Sequence, residues 1–118
     1  MHLRASKRAP VVAVNLREFL LWVLRRRLRV RVDGISMEPS LRPGTTVLIQ
    51  TNASVQVNDI VLSRHPYNPE VQVLKRVAEI HDEGVFLLGD NPAESTDSRS
   101  FGVIPWEHII GRVTSKID

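Results

Sequence analysis

Residues 28–41 read LRVRVDGISMEPSL, and they are the most informative segment for predicting the fold. Its first five residues alternate apolar and charged side chains, which is the period of two typical of a half-buried β-strand. Gly34 permits a tight turn after this strand, and Pro39 prevents a helix from continuing smoothly from Ser36. The stretch therefore predicts a strand that ends in a bend carrying a serine.

Strand-like runs continue downstream of this bend and are separated by short turns. They cover residues 45–51, 59–64, 71–80, 85–88 and 111–117. The segments between them are rich in Gly, Pro, Asn and Asp, which favour turns. Short strands joined by short turns predict a mainly β fold, a compact antiparallel β domain rather than repeated βαβ units. A chain of 118 residues suits a single core of this kind.

The region upstream of this domain is different in character. We expect residues 1–14 to form a flexible basic segment and residues 15–27 an amphipathic helix with Asn15 as its N-cap. Apolar residues recur in it at helical spacing, at Leu16, Phe19, Leu20, Val23 and Leu24. Two interpretations are open: the stripe packs on the domain, or residues 16–24 make peripheral contact with a membrane.

Neither a transmembrane helix nor a cleaved signal peptide is predicted here. Arg17 and Glu18 interrupt the apolar run, whereas a bilayer span requires about 20 predominantly apolar residues. No small-residue cleavage site follows the run. We therefore expect a cytoplasmic protein, peripheral at the inner face of the membrane where the second interpretation of the stripe holds.

Composition excludes several kinds of site and partner. The chain has no cysteine, which removes disulfides, thiolate metal sites and cysteine nucleophiles. Its four histidines lack the spacing of a catalytic triad or a metal site, so we expect no metal and no cofactor. Nine of the 16 basic residues precede Asp33, and no helix-turn-helix pattern accompanies them, so nucleic acid is not an expected partner.

Lys75 is the residue that gives the serine at position 36 a chemical interpretation. Period two within residues 71–80 places it on the face of Val73 and Val77, where desolvation lowers a lysine pKa. A neutral amine within reach of the Ser36 hydroxyl can remove its proton. From these residues alone, two simpler alternatives remain open. Ser36 would then be only a turn or capping serine, and the lysine stem would pack on valines while its ammonium reaches water.

A third cluster lies at residues 89–102, GDNPAESTDSRSFG. Its composition suits an ordinary polar surface loop. In a functional loop, Asp97 and Arg99 would form a charge pair that fixes the wall of a site, and Ser95 would orient the lysine amine.

In chain order these motifs resemble the type I signal peptidase superfamily of Ser-Lys proteases. The matching segments are GISMEPSL at 34–41 with PG at 43–44, NDIV at 58–61, LKRV at 74–77, and GDN at 89–91 continuing through STDSR at 95–99 to Gly102. The resemblance covers residues 28–117. It implies the β domain of the signal peptidase and repressor-protease catalytic core for residues 28–118, preceded by one amphipathic helix.

The resemblance also implies roles for individual residues. Ser36 is the expected nucleophile, Lys75 the general base, and Ser95 the hydroxyl that positions the lysine. Gly34 stands where many bacterial signal peptidases have a serine that helps hold the oxyanion, so backbone N–H groups, including that of Ser36, are expected to do so. The remaining residues expected to line the cleft or support the site are Met37, Gly89, Asp90, Asn91, Asp97 and Arg99.

Within this superfamily, residues 89–92 and 95–102 look most like those of nickel-type superoxide dismutase maturation proteases. That similarity implies a protein substrate, a nickel superoxide dismutase precursor whose N-terminal leader is removed. Two alternatives are kept. One is general processing of exported proteins at the membrane, and the other is an inactive peptide-binding module of the same fold.

Overall fold

Seven strands form one sheet in the computed structural model, which describes residues 11, 13–23 and 27–117. The strand order is β1-β2-β7-β3-β4-β5-β6, and each paired strand is antiparallel to its neighbour. The strands are β1 Leu28–Arg31, β2 Thr46–Thr51, β3 Ile60–His65, β4 Asn68–Ile80, β5 Gly84–Leu88, β6 Ile104–Pro105 and β7 Ile109–Ile117. The prediction of a mainly antiparallel β domain is confirmed.

Helical segments are short. The N-terminal helix α1 spans Leu16–Val23, and α2 spans Ser98–Phe101. Single 3-10 turns occur at Pro92–Glu94 and Trp106–His108. The Asn15 side chain accepts a 2.9 Å hydrogen bond from the Glu18 amide, as expected of an N-cap.

The predicted boundaries at the N-terminus need correction. The helix predicted for residues 15–27 is shorter, because Arg27 lies in a bend before β1 and residues 24–26 are outside the described residues. Most of the segment predicted to be flexible, residues 1–14, is also outside them. Ala13 and Val14, however, run beside β7, where the Val14 amide donates a 2.9 Å hydrogen bond to the Lys116 carbonyl.

The helix α1 contacts the sheet through Glu18, and Leu16, Phe19 and Leu20 of its predicted apolar stripe are turned away from the domain. Leu16, Phe19 and Leu20 are 72%, 46% and 49% exposed, whereas Glu18 is only 7% exposed. No helix among the described residues is long and apolar enough to cross a membrane.

The core has two clusters, and β3 contributes to both because its successive side chains point to opposite faces. Ile60 and Leu62 pack in the first cluster, while Val61 packs in the second. The register of β3 and β4 places Lys75 directly opposite Val61. Lys75 therefore enters the sheet on an apolar face, as its sequence spacing predicts.

Candidate active site

The bend after β1 holds Ser36 between a buried and an exposed neighbour. Gly34 has a φ of 77°, a left-handed conformation that favours glycine. Met37 and Leu41 are buried in the first core cluster, and the Leu41 amide donates to the Met37 carbonyl at 3.0 Å. Packing on one side of this turn fixes its orientation, and Ser36 remains half-buried while Ile35 is exposed.

The segment from Gly89 to Asn91 fixes the backbone of this bend. The Asn91 amide donates a 2.8 Å hydrogen bond to the Ser36 carbonyl, and the Asn91 Nδ2 donates at 3.1 Å to the Ile35 carbonyl. A Cβ at Gly89 would lie 2.8 Å from the Ser36 oxygen and 2.2 Å from the Ser95 Oγ. Glycine is therefore required here by close approach of the two segments.

Asp90 joins the same bend to β4 through a buried ion pair. Its carboxylate accepts hydrogen bonds of 2.7 and 3.1 Å from Arg76 and a hydrogen bond from the Ser40 hydroxyl. The Asp90 amide also lies 3.4 Å from the Met37 sulfur. Sequence reasoning identified Asp90 and Met37 as site residues but missed Arg76 and Ser40. A basic residue next to Lys75, on the opposite face of a buried strand, was the available signal for such a pair.

Ser36 and Lys75 line one cavity of about 230 Å³. Its walls come from the end of β1 and the bend that follows, at residues 30–34, and from residues 72–75 of β4. Lys75 is only 6% exposed, and none of the ion pairs between described residues involves it. Met37 and Gly34, both expected at the cleft, line the same cavity.

The electrostatic setting of Lys75 favours its neutral amine. Burial lowers the pKa of Lys75 below its ordinary value, and the positive charge of Arg99 lowers it further, while Asp97 partly opposes the shift. The direction agrees with the expectation for a lysine among valines. An amine of this kind can accept a proton at a pH where an exposed lysine remains charged.

Asp97 accepts several of the hydrogen bonds that hold the loop beside Lys75. Burial raises its pKa, but hydrogen bonds from Arg99, Gly89 and Ser95 outweigh burial and hold the pKa well below its ordinary value. The donors are the Arg99 Nε at 2.9 Å, the Gly89 amide at 2.9 Å and the Ser95 hydroxyl at 2.7 Å. The expected pair of Asp97 and Arg99 is thus present. Asp97 and Lys75 share a second, small cavity of about 10 Å³.

The structure places the predicted site residues in one region. The Ser95 hydroxyl donates a hydrogen bond to Asp97, and its expected role in orienting the lysine amine stays a prediction. The same holds for the oxyanion role of the Gly34 and Ser36 backbone. In the described part of the chain, no group of three or more His, Asp or Glu side chains is arranged to hold a metal ion.

Comparison with known proteins gives a family match over almost the whole chain. The model described as "Signal peptidase, peptidase S26" matches residues 8–81 and 78–117. The chain is 30% identical to mitochondrial inner membrane protease subunit 1 of Homo sapiens, with 75% of this chain and 68% of the relative covered. It is 30% identical to subunit 1 of Xenopus tropicalis, covering 72% and 65%, and 34% identical to subunit 2 of Mus musculus, covering 63% and 57%.

These relatives bear on the closer resemblance drawn from the sequence. The chain spans 65% and 68% of the length of the two subunit 1 relatives. All three are named as inner membrane proteases, and none is named as a dismutase maturation protease. The comparisons therefore support the broader resemblance to signal peptidases and give no support to the nickel-dismutase substrate.

Proposed function

The chain belongs to the signal peptidase family, peptidase S26, and we propose that it is a serine endopeptidase with Ser36 as nucleophile and Lys75 as general base. The observation that carries this proposal is the shared cavity. Ser36 and Lys75 both line it, and Lys75 is buried there with a lowered pKa. A Ser-Lys pair needs no histidine, in keeping with the lack of triad spacing in the sequence.

In the proposed acylation step, the neutral Lys75 amine takes the proton of the Ser36 hydroxyl as its Oγ attacks the substrate carbonyl carbon. The tetrahedral intermediate then collapses, the peptide C–N bond breaks, and the Lys75 ammonium protonates the departing amine. The product is an ester between Ser36 and the N-terminal fragment of the substrate. The new N-terminus leaves with the other fragment.

Deacylation uses the same base in the same cavity. Lys75, neutral again, takes a proton from water as the water oxygen attacks the ester carbonyl, and Ser36 leaves with that proton. In both steps, backbone N–H groups of the bend at residues 34–36 stabilise the oxyanion. The hydrogen bond from Asn91 to the Ser36 carbonyl keeps this backbone in place.

The walls of the cavity suit an extended peptide. β1 is the terminal strand of the sheet and pairs only with β2, and β4 pairs with β5 only between Arg76 and Ile80. Val30 and Arg31 pair with β2 by one edge and residues 72–75 pair with β3 by one edge, while none of the described strands pairs with the other edge of either segment at the cavity. We propose that the substrate enters between them as an added strand, with main-chain hydrogen bonds supplying affinity and apolar lining residues such as Val32, Leu62 and Val73 supplying side-chain selectivity.

For the substrate, we propose the N-terminal leader of a nickel-type superoxide dismutase precursor. The support is the similarity of residues 89–92 and 95–102 to the maturation proteases, and it is carried by sequence alone. A second candidate is leader removal from exported proteins at a membrane. The exposed apolar residues of α1 and the names of the inner membrane relatives favour that alternative.

One experiment tests both the dyad and the substrate. The wild type, Ser36→Ala and Lys75→Ala are incubated with a dismutase precursor or with a secretory precursor plus phospholipid vesicles, and new N-termini are identified by intact mass. Ser54→Ala and Lys116→Ala are controls, because Ser54 is exposed and Lys116 is on β7 outside the cavity. Loss of cleavage in the two site variants alone supports the dyad.

The outcomes separate the alternatives. Cleavage of the dismutase precursor supports the proposal that the protein matures this dismutase. Cleavage of only the secretory precursor supports instead the second candidate, leader removal from exported proteins. Cleavage that survives Ser36→Ala overturns the proposed nucleophile. A wild type that cuts neither precursor but retains affinity for them indicates an inactive peptide-binding module.

A further inference from the structure

The outer side of α1 is an apolar surface with no covering in the described part of the chain. We call Leu16, Phe19 and Leu20 the apolar face of α1; their spacing places them side by side on the helix. Phe19 makes an edge-to-face contact with Trp22, with ring centroids 5.9 Å apart. The face is therefore continued by a second aromatic ring at the end of the helix.

Polar contacts on the opposite side of α1 fix the direction of this face. On the opposite side of the helix, the Glu18 carboxylate accepts hydrogen bonds from Arg27 at 3.1 Å, from the Thr114 hydroxyl, and from the Ser115 hydroxyl at 3.1 Å. Burial raises the Glu18 pKa, but these hydrogen bonds and the charge of Arg27 lower it overall. With Glu18 held against the sheet, α1 presents Leu16, Phe19 and Leu20 outward.

Positive charge is concentrated in the N-terminal part of the chain, which includes α1. Nine basic residues and one acidic residue precede Asp33, a formal charge of +8, while seven basic and twelve acidic residues from Asp33 onward give −5. The single acidic residue of the first part is Glu18, which faces the sheet. Arg17 in α1 is exposed, and the guanidinium of Arg29 in β1 lies 5.7 Å from the centre of the Trp22 ring.

We propose that the apolar face of α1 inserts into the surface of a membrane containing anionic phospholipids, with α1 lying in the plane of the interface. An apolar stripe with an aromatic ring and flanking arginines is the pattern of interfacial helices. The positive charge selects anionic headgroups, since the remainder of the chain is acidic and would be repelled by them. This inference goes beyond the proposed peptidase activity and does not depend on it.

The test measures binding of the full chain to vesicles by co-sedimentation. Vesicles of phosphatidylcholine alone are compared with vesicles that also contain phosphatidylglycerol. Leu16→Ser/Phe19→Ser is expected to weaken binding to the anionic vesicles at least about tenfold, because two apolar side chains lose their burial. The matched control is Tyr67→Ser/Ile80→Ser, which removes two exposed apolar residues distant from α1 in the chain and is expected to bind as the wild type does.

A second pair of variants tests the charge. Arg25→Gln/Arg26→Gln removes two charges that follow α1 in the sequence, and each loss is expected to weaken binding about fivefold. Arg42→Gln, an exposed arginine after the Ser36 bend, is the control. Added salt is expected to weaken the binding of the wild type more than that of the double arginine variant, because screening acts on the charges that the variant lacks.

Several results would overturn the proposal. One is equal binding to both kinds of vesicle, and another is a loss of binding in the Tyr67→Ser/Ile80→Ser control as large as in the α1 variant. A third is a dimer in sedimentation velocity that Leu16→Ser/Phe19→Ser dissociates, because the face would then belong to a second copy of the chain. Ser36→Ala is expected to bind vesicles like the wild type, so a failure of the peptidase proposal leaves this one testable.

Discussion

The backbone of Asn91 holds the backbone of Ser36 through a 2.8 Å hydrogen bond between the Asn91 amide and the Ser36 carbonyl. Two segments separated by more than fifty residues meet at this bond, and each carries one of the motifs identified in the sequence. Gly89 makes their approach possible, because a side chain there would overlap the Ser36 carbonyl and the Ser95 hydroxyl. The proposed nucleophile is therefore placed by the loop as well as by its own bend.

Gly89→Ala is expected to lower kcat about a hundredfold, since a displacement of about 1 Å at a reacting group has an effect of this size. The added Cβ must push away the Ser36 carbonyl. Asn91→Ala removes only the side-chain hydrogen bond to Ile35 and keeps the backbone bond, so a much smaller loss is expected. Steady-state kinetics and thermal unfolding of both variants check this. Equal losses in the two variants would contradict it.

The pH dependence of kcat/KM is expected to follow the ionisation of Lys75. Its pKa is lowered by burial, so kcat/KM is expected to rise through a pKa below that of an exposed lysine as the neutral amine forms. Arg99→Gln removes a positive charge that lowers this pKa, and it should shift the profile to higher pH. Lys116→Gln, also a loss of one positive charge, is the control and should leave the profile in place. A wild-type profile that is flat across this range would argue against Lys75 as the base.

The lowered pKa of Lys75 also predicts how the free energy of unfolding depends on pH. A lysine whose pKa is lower in the folded state binds fewer protons there than in the unfolded state, so the free energy of unfolding rises with pH between the two pKa values. Lys75→Met removes the desolvation of the amine and keeps a similar volume. The variant is expected to be more stable than the wild type at neutral pH, with the difference shrinking as the pH rises from the lowered pKa toward 10.5, the ordinary lysine pKa. Urea unfolding at several pH values measures this.

The positions of the strands could be predicted closely because they depend on patterns of neighbouring residues in the sequence. Short apolar runs mark these strands, and Gly, Pro and Asn mark the turns between them, so β2, β3 and β5 lie within a residue of their predicted ends. Lys75 was likewise placed on an apolar face by period two alone. The two-residue strand β6 and the four-residue helix α2 are too short to carry a period.

Features that depend on residues far apart in the chain could not be predicted from local sequence patterns. Helical spacing shows that Leu16, Phe19 and Leu20 share a side of α1, but which side faces the sheet depends on the partners of Glu18. Those partners, Thr114 and Ser115, are almost a hundred residues away. The pair of Arg76 and Asp90 is hidden for the same reason, because alternation identifies the face of an arginine without identifying the carboxylate that reaches it.

Asp97→Asn tests the contribution of the Asp97 hydrogen bonds through the pH dependence of the free energy of unfolding. The Asp97 pKa is lowered by its hydrogen bonds, so its contribution is fully present above the ordinary aspartate pKa of 3.8 and is lost as the pH falls below it. The variant is expected to be less stable at neutral pH and to lose less further stability on acidification. Glu94→Gln, an exposed carboxyl in the same loop, is the control. Parallel acid-unfolding curves for wild type and Asp97→Asn would contradict this.

The ion pair of Arg76 and Asp90 predicts a result that depends on both partners. Both side chains are buried, so Arg76→Met removes the guanidinium that balances the Asp90 carboxylate and is expected to cost about 3–5 kcal/mol of folding free energy. Arg76→Met/Asp90→Leu removes both charges and should recover most of that loss. Even so, the double variant is expected to cleave substrate more slowly than the wild type, because Asp90 also accepts from Ser40 in the Ser36 bend. Urea unfolding and kcat of the single and double variants measure the two effects, and full recovery of both would show that the pair stabilises the fold without positioning the bend.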